Sequence, residues 1–152
     1  MNDLAEAKDR TLTIERTFDA PLTLVWAAWS DPAHITNWWG PNGMQTEVEA
    51  HDFRVGGTWR YSMKMPNGSL FIAEGVYAEI VEHEKIVTSA DFKPMTEGVE
   101  MHMLFKEVDG KTYFSFHVIH PTEAYCKQQE DMGFFNGWGS TFERLGEYLQ
   151  SV

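Results

Sequence analysis

Between Thr11 and Phe18 the side chains alternate, with Leu12, Ile14, Arg16 and Phe18 on one side and Thr11, Thr13, Glu15 and Thr17 on the other. That is the period of a strand. Asp19-Ala20-Pro21 closes it, and Pro21 suits the first turn of a helix, where a missing N–H costs nothing. Leu24, Val25, Ala28 and Trp29 give this helix an apolar stripe. Ser30-Asp31-Pro32 repeats the signal, with Asp31 placed to cap a second short helix running to about Asn37. Trp38-Trp39-Gly40-Pro41-Asn42-Gly43 reads as a loop, because glycine and proline favour turns there. From Met44 the chain reads as strands at about 44–52, 57–65, 70–81, 85–92, 98–108 and 111–120. Pro66-Asn67-Gly68 and Asp109-Gly110 are strong turn signals and His83-Glu84 a weaker one, so these strands form an antiparallel meander. After Pro121, the residues Met132, Phe135, Trp138, Phe142, Leu145 and Leu149 recur at helical spacing. One long amphipathic helix is expected, with Gly133, Gly137 and Gly139 marking a kink and a close approach to another element.

Alternation also assigns faces. Trp59, Tyr61, Met63 and Met65 share one side of their strand and are expected inside, as are Met101, Met103, Phe105, Phe114, Phe116 and Val118. In 70–81 two sets compete, Phe71, Ala73, Gly75 and Tyr77 against Ile72, Val76 and Ile80, and a bulge near Gly75 would reconcile them. The 152 residues hold enough apolar material for one core. A single domain over 11–152 is expected, after a flexible start at 1–10. A net charge of −11 with no basic block opposes contact with nucleic acid or anionic membranes. The one cysteine, Cys126, cannot form an internal disulfide, and the polar N-terminus lacks a signal-peptide stretch, so the expected location is the cytoplasm, without membrane insertion.

The order of one strand, two short helices, six strands and a long helix resembles the START-like helix-grip fold. The closer resemblance is to the family named for homology to the activator of heat-shock protein 90 ATPase. It rests on Arg16-Thr17-Phe18-Asp19-Ala20-Pro21, Val25-Trp26, Asp31-Pro32, Trp38-Trp39-Gly40-Pro41, Gly56-Gly57-Thr58-Trp59-Arg60 and Gly137-Trp138 with Leu145, in that order. The resemblance implies an α+β fold in which a curved seven-stranded antiparallel sheet wraps around the C-terminal helix, with a cavity between them. It implies no shared activity, because related folds include lipid carriers, cyclases and chaperone regulators. The eukaryotic co-chaperones of the family carry an additional N-terminal domain that makes much of the chaperone contact, which counts against a chaperone role here.

Methionine and aromatic side chains on the inner faces suit a ligand without one rigid shape, although an ordinary packed core uses the same residue types. Arg16 shares the parity of Ile14 and Phe18, so its guanidinium is a candidate anchor for a ligand anion; the alternative is a salt bridge or an end-of-sheet position reaching water. Trp38 and Trp39 either rim a cavity or plug one end of the core. Of the histidines His34, His51, His83, His102, His117 and His120, no pair has metal-ligand spacing on a helix. His102 and His117 have the parity of outward residues, whereas His120 follows Phe116 and Val118 inward and is the strand histidine suited to orienting a ligand or to acid/base work. No P-loop, dinucleotide fingerprint or nucleophile elbow is present, and no metal or cofactor is expected.

The candidate ligand-binding set is therefore Arg16, Trp38, Trp39, Trp59, Tyr61, Met63, Met103, Phe105, Phe114, Phe116, His120, Phe135 and Trp138. The expected function is a binding module that holds a small hydrophobic or amphipathic molecule, as a monomer or weak homodimer. A cyclase- or hydrolase-like enzyme acting in the same cavity and a protein-interaction role, such as stimulation of a chaperone ATPase, are the alternatives.

Overall fold

The computed structural model describes residues 4–40, 44–93 and 96–152. Its elements are β1 (Thr11–Phe18), α1 (Leu22–Ser30), α2 (Pro32–Trp38), β2 (Gln45–His51), β3 (Thr58–Lys64), β4 (Leu70–Val81), β5 (Lys85–Lys93), β6 (Thr96–Val108), β7 (Lys111–Ile119), α3 (Glu123–Asp131) and α4 (Phe134–Ser151). The strands form one antiparallel sheet in the order β1-β7-β6-β5-β4-β3-β2. The meander runs from β2 to β7 and the first strand then pairs with the last. This is the α+β helix-grip arrangement, a curved seven-stranded sheet against the C-terminal helix.

Apolar alternation places the core between sheet and helix. Phe142, Leu145 and Leu149 of α4 are buried against Ile14, Phe18, Phe114 and Phe116. The helices α1 and α2 close one end with tryptophan: Trp29 stacks on Phe114 at 5.4 Å and meets Trp38 at 4.7 Å, while Trp26 lies 5.2 Å from Phe105. Asp31 caps α2 as its position suggests, with its Oδ1 accepting from the Ala33 N–H at 2.9 Å.

Several expectations change. The C-terminal helix is two helices, because Gly133 has φ +105°, a left-handed conformation that costs glycine little and an L side chain much. The break resets the helical phase, so Phe134 rather than Phe135 opens the inner stripe. Phe135 is 43% exposed. Close approach at the helix glycines is also not found: a methyl on Gly137 would meet nothing within 4 Å, and one on Gly139 would make only ordinary contact with Arg16 Nη2 at 3.7 Å. Close approach occurs instead in the sheet, at Gly75.

In β4, Ala73 and Tyr77 are buried, so the Phe71 to Tyr77 set faces inward. The register shift lies between Tyr77 and Glu79, slightly beyond Gly75. Trp38 ends α2 instead of joining the loop, and the loop expected at Pro41-Asn42-Gly43 lies outside the described residues. Within the start expected to be flexible, Lys8–Arg10 form a 3-10 turn and Ala7 is buried. His102, on the outer side of β6, is nonetheless buried, with Nε2 at 2.6 Å from Glu100 Oε1. No helix of the described residues is long and apolar enough to cross a membrane.

Candidate functional site

The break at Gly133 bends the chain over one end of the sheet, and a cavity of ≈ 180 Å³ lies beneath the bend. Its floor comes from alternating strand positions, Met63 of β3, Phe71 of β4, Phe92 of β5, Val99 of β6 and Val118 of β7. Its roof is Gln129 of α3, Met132 and Gly133 of the bend, and Phe134, Gly137, Trp138 and Thr141 of α4. Trp39, Gly40 and Met44 form a side wall. The Trp138 ring meets Trp39 at 5.8 Å and Phe92 at 5.4 Å, both edge-to-face, so ring faces and edges line much of the space.

Arg144 anchors that wall from α4. Its Nη1 donates to the carbonyls of Gly40 at 2.8 Å and Trp39 at 3.3 Å, and its Nη2 to Asn37 at 3.5 Å. Burial pushes the guanidinium pKa down, which makes these carbonyl contacts the compensation for lost hydration.

Four polar side chains interrupt the apolar lining, those of Thr96, His120, Gln129 and Thr141. His120 is 1% exposed and its Nδ1 lies 3.2 Å from the Arg10 carbonyl, which also accepts the His120 backbone N–H at 2.8 Å. Thr96 Oγ1 donates to Gln129 Oε1 at 2.5 Å, and Thr141 Oγ1 to the Gly137 carbonyl at 3.1 Å. His120 is the sole titratable side chain among the described lining residues. Burial lowers its pKa from 6.5 despite the nearby carbonyls of Arg10 and Val118, which favours the neutral ring.

Of the residues expected to bind a ligand, Trp39, Met63, His120 and Trp138 line this cavity. Trp59, Tyr61 and Met103 line a second void of ≈ 10 Å³ behind Trp39, about the room one water needs. Beside Tyr61, His51 Nε2 must donate to the Ser30 carbonyl at 2.9 Å, so its Nδ1 accepts from the Tyr61 hydroxyl at 2.7 Å. Trp38, Phe105, Phe114 and Phe116 are packed in the core without touching the cavity, although Phe116 backs Trp138 at 4.6 Å.

Arg16 does not point inside. Its strand is an edge of the sheet, and the side chain runs past Gly139 into water, with Nη1 donating to the Glu15 carbonyl at 2.9 Å. Phe135 is likewise outside, for the phase reason given above. Neither lines the cavity.

Sequence reasoning missed Phe92, Gln129, Thr96 and Phe134. Phe92 was legible, because it continues the period-two set Ile86, Thr88 and Ala90 of β5. Cys126 is buried on α3, where burial and Glu130 push its thiol up, away from nucleophile chemistry.

The family model of the "Activator of Hsp90 ATPase homolog 1-like protein" matches residues 19–150. The chain belongs to this family. Among solved structures, a Mycobacterium smegmatis protein is similar at 26% identity and a TM-score of 0.85, covering 95% of this chain and 94% of its own. An Arthrobacter aurescens protein has a TM-score of 0.87 at 22% identity, over 96% and 89% of the two chains. An AHSA1-like protein from Aeromonas hydrophila has a TM-score of 0.75 at 21% identity, over 93% and 92%. The last two likenesses speak for the fold alone. None of the curated proteins matches the sequence. The activator-homologue family has a START-like fold, which commonly holds hydrophobic ligands.

Three histidines are expected to lower the stability of this family member in acid. Burial is the largest cause lowering the pKa of His51, His117 and His120 from 6.5. The unfolded chain then binds more protons than the folded one below that value, so stability is at its full level above it and declines as pH falls. Thermal unfolding followed from about pH 8 to about pH 5 should show a plateau and then a falling melting temperature. A profile flat through the acid range would mean these rings titrate normally.

Proposed function

We propose that the protein is a binding module that holds one small apolar or amphipathic molecule in the cavity under the α3–α4 bend. The observation that carries this reading is the ≈ 180 Å³ space itself, walled mainly by aromatic rings and thioethers with a few polar side chains among them. A ligand of matching shape would gain contacts with these apolar walls that water cannot supply. His120 takes the orienting role, and Arg16, outside the cavity, does not. The surplus of acidic side chains supports a small-molecule partner over nucleic acid.

An enzyme in the cyclase or hydrolase class would need a second titratable group beside the substrate. His120 has none among the described lining residues, so binding without turnover is the better reading. Chaperone stimulation rests on family membership alone, and an unchanged ATPase rate of the cognate chaperone at saturating protein would remove it.

Native mass spectrometry and calorimetry against a library of lipids and aromatic metabolites test the proposal. One small molecule bound per chain is the expected result. No binder of any class, with the cavity collapsed in a crystal structure, would end it.

A further inference from the structure

The chemistry of His120 says more about the occupant. A backbone carbonyl can only accept, so the His120 nitrogen that faces the Arg10 carbonyl, Nδ1, must carry the ring hydrogen. Val118, two residues back on the strand, is the other backbone group acting on the ring, again a carbonyl and again an acceptor. Residues two apart on a strand turn their carbonyls to the same edge, the one that meets Arg10. In the neutral ring this leaves Nε2, on the side away from Arg10, with a lone pair and no hydrogen. His120 lines the cavity and its Nε2 has no hydrogen-bond partner among the described residues, so a donor to that lone pair would come from what occupies the cavity, a ligand or a water.

Size and wall chemistry add two limits. An apolar protein cavity of about 150 Å³ accommodates a benzene ring, so ≈ 180 Å³ takes one ring or two small fused rings. A long acyl chain would leave most of its length outside this space. The described lining residues include no lysine or arginine, and Arg16 is outside, so an anionic end would be buried without a counter-charge. The edge-to-face rings of Trp39, Trp138 and Phe92, with the Met63 thioether, favour a flat aromatic body.

Resting on the binding-module reading, we infer that the ligand is a small, neutral aromatic of one or two rings bearing an N–H or O–H that donates to His120 Nε2. Indole and simple phenols have this chemistry. His120 acts here as a specificity residue that selects donors over isosteric molecules without one.

Indole and benzofuran separate the idea from its alternatives, because they share a shape and differ in whether an N–H or an ether oxygen sits in the ring. Calorimetry on the full chain should give about tenfold tighter binding for indole, since benzofuran offers Nε2 no hydrogen and displaces any water that would. Benzoate should not bind at concentrations where indole saturates. With nitrogen-15-labelled histidine, the His120 Nε2 resonance should move upfield on indole addition and stay in place with benzofuran. His120→Phe, whose fold is checked by thermal unfolding, should bring the two affinities together. His120→Gln, which can donate to the Arg10 carbonyl and still present an oxygen, should restore part of the preference, so a loss in His120→Phe through misfolding is recognised. Equal affinities in the wild type, benzoate binding as well as indole, or an unmoved Nε2 resonance would each overturn the inference while leaving the cavity reading intact. Failure of indole, benzofuran and every other one- or two-ring compound would end this inference, and the binding-module reading falls with it only if no lipid or other small molecule binds either.

Discussion

Gly75→Ala is expected to unfold or severely destabilise the protein, costing about 3 kcal/mol or more. A Cβ at this position would sit 1.9 Å from the Ser89 carbonyl oxygen and 2.8 Å from Trp59 Nε1. Neither can retreat cheaply. Ser89 is backbone of the adjacent strand, and Trp59 Nε1 donates to Thr88 Oγ1 at 2.8 Å inside the core. The strand already departs from regular pairing here, since the Val76 N–H donates to the Ser89 hydroxyl at 3.0 Å and Thr88 Oγ1 lies 3.0 Å from the Val76 carbonyl. With β3 on one side and β5 on the other, β4 has no free edge toward which to shift. A fall in melting temperature on the order of 10 °C, or insoluble protein, is the expected readout. A melting temperature within a degree or two of wild type would mean the two strands do not approach this closely.

Gly137→Leu should have the opposite effect on stability and a large one on binding. Gly137 lines the cavity, lies within α4, and a Cβ there meets nothing within 4 Å. Leucine replaces a poor helix former with a good one, worth about 1 kcal/mol, and its side chain grows into the space the ligand needs. The melting temperature should rise while affinity for indole falls roughly tenfold to hundredfold through overcrowding. Gly137→Ala, adding one methyl, should show the same two signs in smaller measure. Lower stability together with unchanged affinity would place this face of the helix against a neighbour, contrary to the open space seen beside it.

The sheet was legible because burial on one face forces strict alternation: Trp59, Tyr61 and Met63, then Met101, Met103 and Phe105, then Phe114, Phe116 and Val118 all fall inside as their parity requires. What parity cannot report is whether an inward side chain meets another side chain or a void. Phe114 and Phe116 follow the same pattern as Met63, yet they lie in the packed core and Met63 lines the cavity. Arg16 shows the same limit at an edge, where inward parity ends in water because no further strand covers that side. The roof of the cavity includes the helix break at Gly133, where φ is +105°. Spacing alone reads through that glycine as continuous helix, which puts Phe135 on the inner stripe in place of Phe134. Gln129 and Thr96 carried no signal, since their role comes from two elements distant in sequence meeting at one hydrogen bond.

The central claim is that the space beneath the α3–α4 bend takes a small ring. Met44, Met63 and Met132 line that space, and Met65 does not, so methyl-labelled methionine provides probes inside and outside it. A titration with one- and two-ring aromatics, with and without donor groups, should move the methyl signals of Met44, Met63 and Met132 in a saturable way with one common affinity and leave Met65 in place. Signals that do not saturate, or small shifts spread evenly over all the methionines, would contradict the claim.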